Sequence, residues 1–344
     1  MRRSGIFVMS TLGVGDVLLA QPLLQALREA TSERIVVLAR AGSPAQLTQR
    51  LGIADHVVSY VARWPHRLWG GAGLAPWIAS QRFDRVMTTT GLNPYYSGLM
   101  ALATGASVRI GERRGRLPWI WTDAVEVAPG AHMVVRNQAL GIAAGVKAGL
   151  LPRFAPDERE LAQSGVLVGD HRMVIALAPG SNRTIAHKRW PIGRFAELVT
   201  QLSQRGAHVV VLGGLDERDV GRQLAAQAGQ SGLTNLVDAT DVGTAAAVLA
   251  RCRLAVGNDG MLLHLAAAVG IPTVAIFGPS DPALFAPRGP LSFVVRKNLP
   301  CSPCDDLHPG GCATRPCLEG IEISEVMDAI DGALAHRECS ESRQ

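Results

Sequence analysis

Aromatic residues are scarce in this 344-residue chain, at 5%, and charged residues are few, at 18%. The scarcity of aromatics speaks against an aromatic-rich β-sandwich, and the 47% hydrophobic content speaks against a long disordered segment. No stretch approaches the ~18 consecutive apolar residues of a membrane-spanning helix. The start, Met1-Arg2-Arg3-Ser4-Gly5, leads straight into a short apolar run. It lacks the apolar core and small-residue cleavage site of a signal peptide, so a cytoplasmic protein is expected. No repeat of fixed period and no low-complexity tract stands out. The net charge is +5, yet the basic residues form no long run with interleaved aromatics, which disfavours nucleic acid as a partner. That balance suits a mildly basic enzyme, or a surface that meets a nucleotide diphosphate, an acidic glycolipid or a membrane face.

The length suits about two domains of ~150 residues each, and each half of the chain alternates. In the first half, strand-like apolar runs at 5–9, 35–39, 57–58, 86–90 and 108–111 are interleaved with helical spacing at 17–30, 44–51 and 94–104. The second half restarts the pattern. Strands are expected at 173–178, 208–212, 236–237, 254–257 and 273–277, with helices at 194–205, 217–228, 244–251 and 261–269. The class is therefore α/β, with two Rossmann-like, doubly wound parallel-sheet domains facing a cleft. The join is expected in the polar, Pro-containing stretch 151–169 around Asp157-Glu158-Arg159-Glu160. That sets domains at 1–160 and 161–322. A C-terminal helix and tail follow at 323–344, and a return of that helix onto the first domain stays open.

Three segments carry chemistry. In Gly257-Asn258-Asp259-Gly260-Met261, an apolar strand ends in a polar turn and a small-residue helix begins, with His264 in its first turn. Free N–H groups and the positive end of the helix dipole make such a start a seat for phosphate. The plainer alternative has Asp259 as an N-cap and His264 as a packing residue. In the segment 177–191, Pro179-Gly180 closes a strand and a basic loop follows, where Thr184, Lys188 and Arg189 offer a hydroxyl and two cations to a diphosphate. Alone, a solvated basic loop is the simpler reading. In Gly13-Val14-Gly15-Asp16, an Asp opens the first helix. A general base and a partner of the helix dipole are the two roles open to it. The same turn fits a dinucleotide fingerprint only loosely, because Leu18 stands where a third glycine belongs and no acidic residue closes the second strand.

Taken in order, these segments resemble glycosyltransferase family 9, the lipopolysaccharide heptosyltransferases. The resemblance runs from Gly15-Asp16-Val17-Leu18-Leu19 through Arg109-Ile110-Gly111 and Lys188-Arg189-Trp190-Pro191 to Phe277-Gly278-Pro279-Ser280-Asp281-Pro282. It implies a GT-B enzyme that inverts the anomeric centre, needs no cofactor for catalysis and moves heptose from ADP-L-glycero-D-manno-heptose to the lipopolysaccharide inner core. Carried over, Asp16 matches the catalytic base and Lys188 the cation on the donor diphosphate, with Thr184 beside it. Asp259, Gly260, Met261 and His264 match the donor turn. Glu217 matches the acid that holds the ribose, with Asp216 or Asp219 as alternatives. Arg113, Arg114 and Arg116 are assigned to the acceptor. The implied partners are an ADP-sugar and an anionic lipid A-core acceptor, with peripheral contact at the cytoplasmic face of the inner membrane. A transferase with another donor or acceptor, a nucleotide-sugar epimerase or hydrolase, and a non-catalytic sugar-nucleotide module are the competing readings.

Two features stand outside that set. Cys301, Cys304, Cys312 and Cys317 form a cysteine-rich loop over 300–318 with the turn residues of a small metal knuckle. A structural zinc or iron, reduced thiols and disulfides are all open for it. Trp64, Trp69 and Trp77, near Arg63 and Arg67, are either ordinary loop packing or a lip that touches lipid or sugar.

Overall fold

The structure, a computed structural model, describes residues 5–10, 13–61, 69–115, 118–181, 183–229, 232–289, 291–304, 312 and 314–341. The chain divides into two compact units, Met1–Pro152 and Arg153–Gln344.

In the first unit the order is β1 (Gly5–Ser10), α1 (Val14–Ala30), β2 (Arg34–Arg40), α2 (Ser43–Arg50), β3 (His56–Tyr60) and α3 (Trp69–Gln81). It continues with β4 (Arg85–Thr88), α4 (Pro94–Ala103), β5 (Val108–Glu112), a 3-10 turn at Pro118–Ile120, β6 (Asp123–Val125) and α5 (Met133–Ala143). The strands make one parallel sheet in the order β3-β2-β1-β4-β5-β6. Alternation along β1 sets the two cores. Ile6 and Val8 pack with Leu23, Leu27 and Leu140 of α1 and α5, while Phe7 and Met9 pack with Ile78 and Met100 of α3 and α4. A strand buried on both faces reads as a continuous apolar run, which is why β1 was legible from sequence.

The second unit opens with α6 (Glu158–Val168), β7 (Val174–Ala178), a 3-10 turn at Arg183–Lys188, α7 (Ile192–Gln204) and β8 (His208–Val211). A 3-10 turn at Leu215–Glu217 leads into α8 (Arg218–Ala228), β9 (Leu233–Asn235), α9 (Val242–Ala250), β10 (Leu254–Asn258) and α10 (Met261–Val269). Then come β11 (Thr273–Phe277), α11 (Pro282–Phe285), β12 (Ser292–Arg296), α12 (Pro316–Glu319) and α13 (Ile323–Glu341). Its sheet order, β12-β11-β10-β7-β8-β9, repeats the first topology. On one face Ile175, Leu177, Val256 and Ile276 pack with Phe195 and Leu198 of α7 and with Val326 and Ile330 of α13. The other face takes α10, whose small side chains bring helix and sheet close, and α9 packs against α10 and α6.

Several elements differ from their sequence expectation. The break after Pro152 falls inside the expected stretch 151–169, but the charged cluster there, at 157–160, is the start of α6. Asp157 accepts from Glu160 N (2.9 Å) and Glu160 returns the bond to Asp157 N (2.7 Å), a complete capping box. The second-unit edge strand is at 233–235 rather than 236–237, because Asn235 Oδ1 accepts from Val237 N (3.1 Å) and Asp238 has φ +61°, which turns the chain there. The C-terminal helix joins the core of the second unit through Ile323, Val326, Met327, Ile330 and Ala333.

Candidate functional site

In an open α/β sheet, ligands bind beyond the carboxyl ends of the strands where the order reverses. In the second unit that point lies between β7 and β10, and the two loops leaving it are the ones singled out by sequence. Gly257 brings the strands together, since a Cβ there would run into the backbone of Ala178. Lys188 Nζ, from the loop after β7, meets Asp259 Oδ2, from the turn after β10, at 2.8 Å. Both side chains are largely buried. Ser280 Oγ, from the loop after β11, donates to the same Oδ2 at 2.6 Å. Asp259 is therefore not the N-cap of α10. That position belongs to Gly260, whose extended backbone makes no side-chain cap, so the first N–H groups of the helix from Met261 onward take no bond from a capping side chain. His264 is buried in α10, with Nδ1 lacking any hydrogen-bond partner among the described residues. Burial pushes its imidazole below the ordinary 6.5; Asp259 opposes that shift and Lys188 adds to it.

Asn258 holds the two loops in place. Its Nδ2 donates to Pro179 O (2.7 Å) and its Oδ1 accepts from Trp190 N (2.9 Å), while the Trp190 indole donates to Ile321 O (3.1 Å). Glu217, on the turn after β8, leans over Gly180 and Gly213, and any side chain at either position would meet its carboxylate. Its Oε2 accepts from Gly214 N, and burial raises its carboxyl above the ordinary range. Asp216 and Asp219 are exposed. Thr184 falls in the 3-10 turn, but its side chain lies outside the described residues.

In the first unit the reversal lies between β1 and β4. Asp16 is in the first turn of α1, just after β1, where its Oδ2 accepts from Gly13 N at 3.0 Å. One carboxylate oxygen thus steadies the helix start. Beyond β4 is a polar cluster that the sequence reading missed. Arg136 of α5 grips Glu112 of β5 through two bonds (3.0 and 2.8 Å) and reaches Thr90 Oγ1 (2.9 Å), which also bonds Glu112. Burial alone would raise the Glu112 carboxyl, but the bonds from Arg136 and Thr90 outweigh it and hold it below the usual range. Asn137 ties this cluster to α1, donating to Leu19 O (3.2 Å) and accepting from Thr90 N (3.0 Å).

These loops fall within, or beside, a recognisable sequence family. The family model described as glycosyltransferase family 9 (heptosyltransferase) matches residues 74–308, more than half of the chain. The chain belongs to glycosyltransferase family 9. This glycosyltransferase is similar to lipopolysaccharide heptosyltransferase 2 of Salmonella typhimurium, at 27% identity over 307 residues, covering 85% of this chain and 87% of the relative. The enzyme of the same description from Escherichia coli K12 is also 27% identical, over 308 residues, with 85% and 87% covered. The solved structure of E. coli ADP-heptose LPS heptosyltransferase II matches with a TM-score of 0.78 at 25% identity, covering 97% of this chain and 99% of that one. The two six-stranded parallel sheets are those of a GT-B glycosyltransferase.

The remaining residues singled out in this family 9 enzyme have the following surroundings. Arg113 pairs with Glu126 (2.9 Å) and Arg114 with Glu112 (3.4 Å), so both are partly engaged with carboxylates. Arg116 lies outside the described residues, as do Arg63, Trp64, Arg67 and the side chain of Trp69, whereas Trp77 is exposed. Cys301 and Cys312 are exposed, Cys304 is half-buried and Cys317 is buried. Among the described residues no three or more His, Cys, Asp or Glu side chains come together as a metal site, so the metal centre, one of the three readings open for the cysteine loop, does not form among them. Cys317 packs in the second core, where burial raises its thiol and Cys304, Cys312 and Cys301 push it further the same way.

Proposed function

We propose that this family 9 enzyme transfers heptose from ADP-L-glycero-D-manno-heptose to the lipopolysaccharide inner core with inversion, using Asp16 as the general base. The observation that carries the donor half is the cluster of Lys188, Asp259, Ser280 and His264 at the uncapped start of α10. A diphosphate there meets N–H groups that no side chain caps among the described residues, the positive helix end and an ammonium, and His264 Nδ1, without a partner among the described residues, gains something to bond. Lys188 is shared between Asp259 and the phosphates, Gly260 and Met261 let the backbone approach, and Thr184 completes the loop side. Glu217 accepts from the ribose hydroxyls. The similar proteins are described as heptosyltransferases, and one solved structure names ADP-heptose, which supports this donor.

The chemistry follows from those groups. The acceptor oxygen attacks the anomeric carbon, Asp16 takes its proton, and the bond from that carbon to the diphosphate oxygen breaks on the opposite face. ADP leaves as a stable anion once its charge is balanced, so no acid is required. The acceptor is an anionic lipid, with Arg113, Arg114 and Arg116 on its side, and the enzyme works peripherally at the cytoplasmic face of the inner membrane. Incubation with labelled ADP-heptose, with and without core lipid, tests the reading. Label should reach lipid only when the acceptor is present. Free heptose or an isomerised ADP-sugar without acceptor would instead make the protein a hydrolase or an epimerase.

A further inference from the structure

We infer that the outer face of α4, together with Trp119, is the surface by which this protein lies on an anionic phospholipid bilayer. The inference extends the proposed use of a lipid-borne acceptor by naming the surface. Helix α4 carries no charged residue. Its outward positions are Tyr95 (43% exposed), Leu99 (61%) and Leu102 (38%), spaced four and three apart on one side of the helix. The solvent side of a helix normally carries charge, and this one offers an apolar stripe about 10 Å long instead. The segment after β5 runs beside it. Gly115 lies against Pro94 and the Tyr95 ring, and Ile120 packs over Gly98. Between those two contacts Trp119 stands 68% exposed, the most open aromatic side chain among the described residues. Contiguous exposed apolar surface of this kind marks an interaction site.

Charge selects the partner. From residue 56 to residue 122 the sequence holds eight arginines against two acidic residues, Asp84 and Glu112, and within it fall five of the six tryptophans and all three tyrosines. Glu112 is buried and neutralised by Arg136. Arg113 and Arg114 precede Gly115 at the end of the stripe, about half exposed, in ion pairs that lipid phosphate can exchange. Tryptophan and tyrosine at the headgroup level, leucine below it and arginine on lipid phosphate are the pattern of a surface-lying helix. No helix among the described residues is long and apolar enough to cross a membrane.

The test is sedimentation with vesicles of phosphatidylglycerol and phosphatidylethanolamine that contain no sugar lipid, so that its outcome is separate from that of any transfer assay. The wild-type protein should pellet with these vesicles, less so at high salt and less so with pure phosphatidylcholine. The Leu99→Ser/Leu102→Ser double variant and Trp119→Ser should each lower the partition coefficient on the order of 10-fold. All three proteins should keep the wild-type Tm and ADP affinity, because the replaced groups are exposed. Wild-type protein left in the supernatant, or variants that bind like wild type, overturns the inference. So does a concentration-dependent dimer that the leucine substitutions dissolve, since a second copy would then cover the stripe.

Discussion

Lys188 Nζ lies 2.8 Å from Asp259 Oδ2, although the two residues are 71 positions apart and leave different strands of the second sheet. The cation proposed for the diphosphate is balanced by a carboxylate, and that carboxylate is held by Ser280. The three groups therefore act as a unit, and a substitution at one is felt by the others.

Removing the ammonium has two separable consequences. Lys188→Ala should lower kcat/KM for the donor by roughly 10- to 100-fold, the worth of a charge-assisted bond of about 1.5–3 kcal/mol. It should also destabilise the fold by about 1–3 kcal/mol, because a buried acceptor loses its cation. Adding Asp259→Asn should recover part of the stability but none of the catalysis. Melting curves and steady-state kinetics on the two single variants and the double variant check this, and strictly additive effects would dissolve the unit.

Asp16→Asn keeps an oxygen that can accept from Gly13 N, so the start of α1 should survive and Tm should barely move. Basicity is lost. Turnover should fall roughly 10²-fold or more while donor affinity stays near wild type. Measuring both on one preparation decides the role, because weakened donor binding would make Asp16 a structural residue.

Asn258→Ala should be among the costlier single changes in the second unit. It leaves Trp190 N and Pro179 O without their partners in a buried place, at about 1–3 kcal/mol each. Asn258→Asp should do little better, since a carboxylate cannot donate to Pro179 O. Denaturant midpoints should fall for both, with donor KM rising as the loop from Ser181 to Trp190 loosens.

The second unit should lose stability on acidification. Burial pushes His264, His208 and His187 below 6.5; the neighbouring His171 pushes His208 further the same way, and Lys188 and Arg315 do so for His187. A histidine with a lowered folded value binds fewer protons than the unfolded chain, so its contribution is full above 6.5 and is lost as pH falls toward the folded value. Glu217, with a raised carboxyl, runs in the other sense: stability falls as pH rises through its folded value. The drop in Tm from pH 7.5 to 5.5 should shrink in His264→Gln and in His208→Gln. An unchanged drop would mean that these rings are solvated in solution.

Much of the architecture was legible in the chain itself. Strands buried on both faces need apolar residues at every position, so 5–9, 173–178, 254–257 and 273–277 announced themselves without any partner in view. The start of α10 was legible where glycine marks it, whereas α1 begins at Val14, three residues before its expected start, because the glycine turn itself winds into the helix. Within the expected join at 151–169, the 157–160 cluster did not announce a helix, because a capping box and a solvated charged stretch contain the same residues. The second-unit edge strand was misplaced by three residues, since a three-residue strand is shorter than the period that reveals it.

The sites divide along the same line. Asp16, Lys188, Asp259 and His264 could be named from sequence because each lies in the loop or helix start that follows a strand, and strand ends are local properties. Their pairings could not. That Asp259 answers Lys188 and Ser280 rather than capping its own helix, that Asn258 bolts two loops together, and that Thr90, Glu112 and Arg136 form one buried cluster all depend on strand order. The order β12-β11-β10-β7-β8-β9 brings β10 beside β7, an adjacency decided by sheet assembly and not by any stretch of sequence. The chain determined which groups stand at the carboxyl ends of its strands; only the tertiary structure decided which of them meet, because a hydrogen bond of 2.6–2.8 Å is a property of two backbones brought together in space.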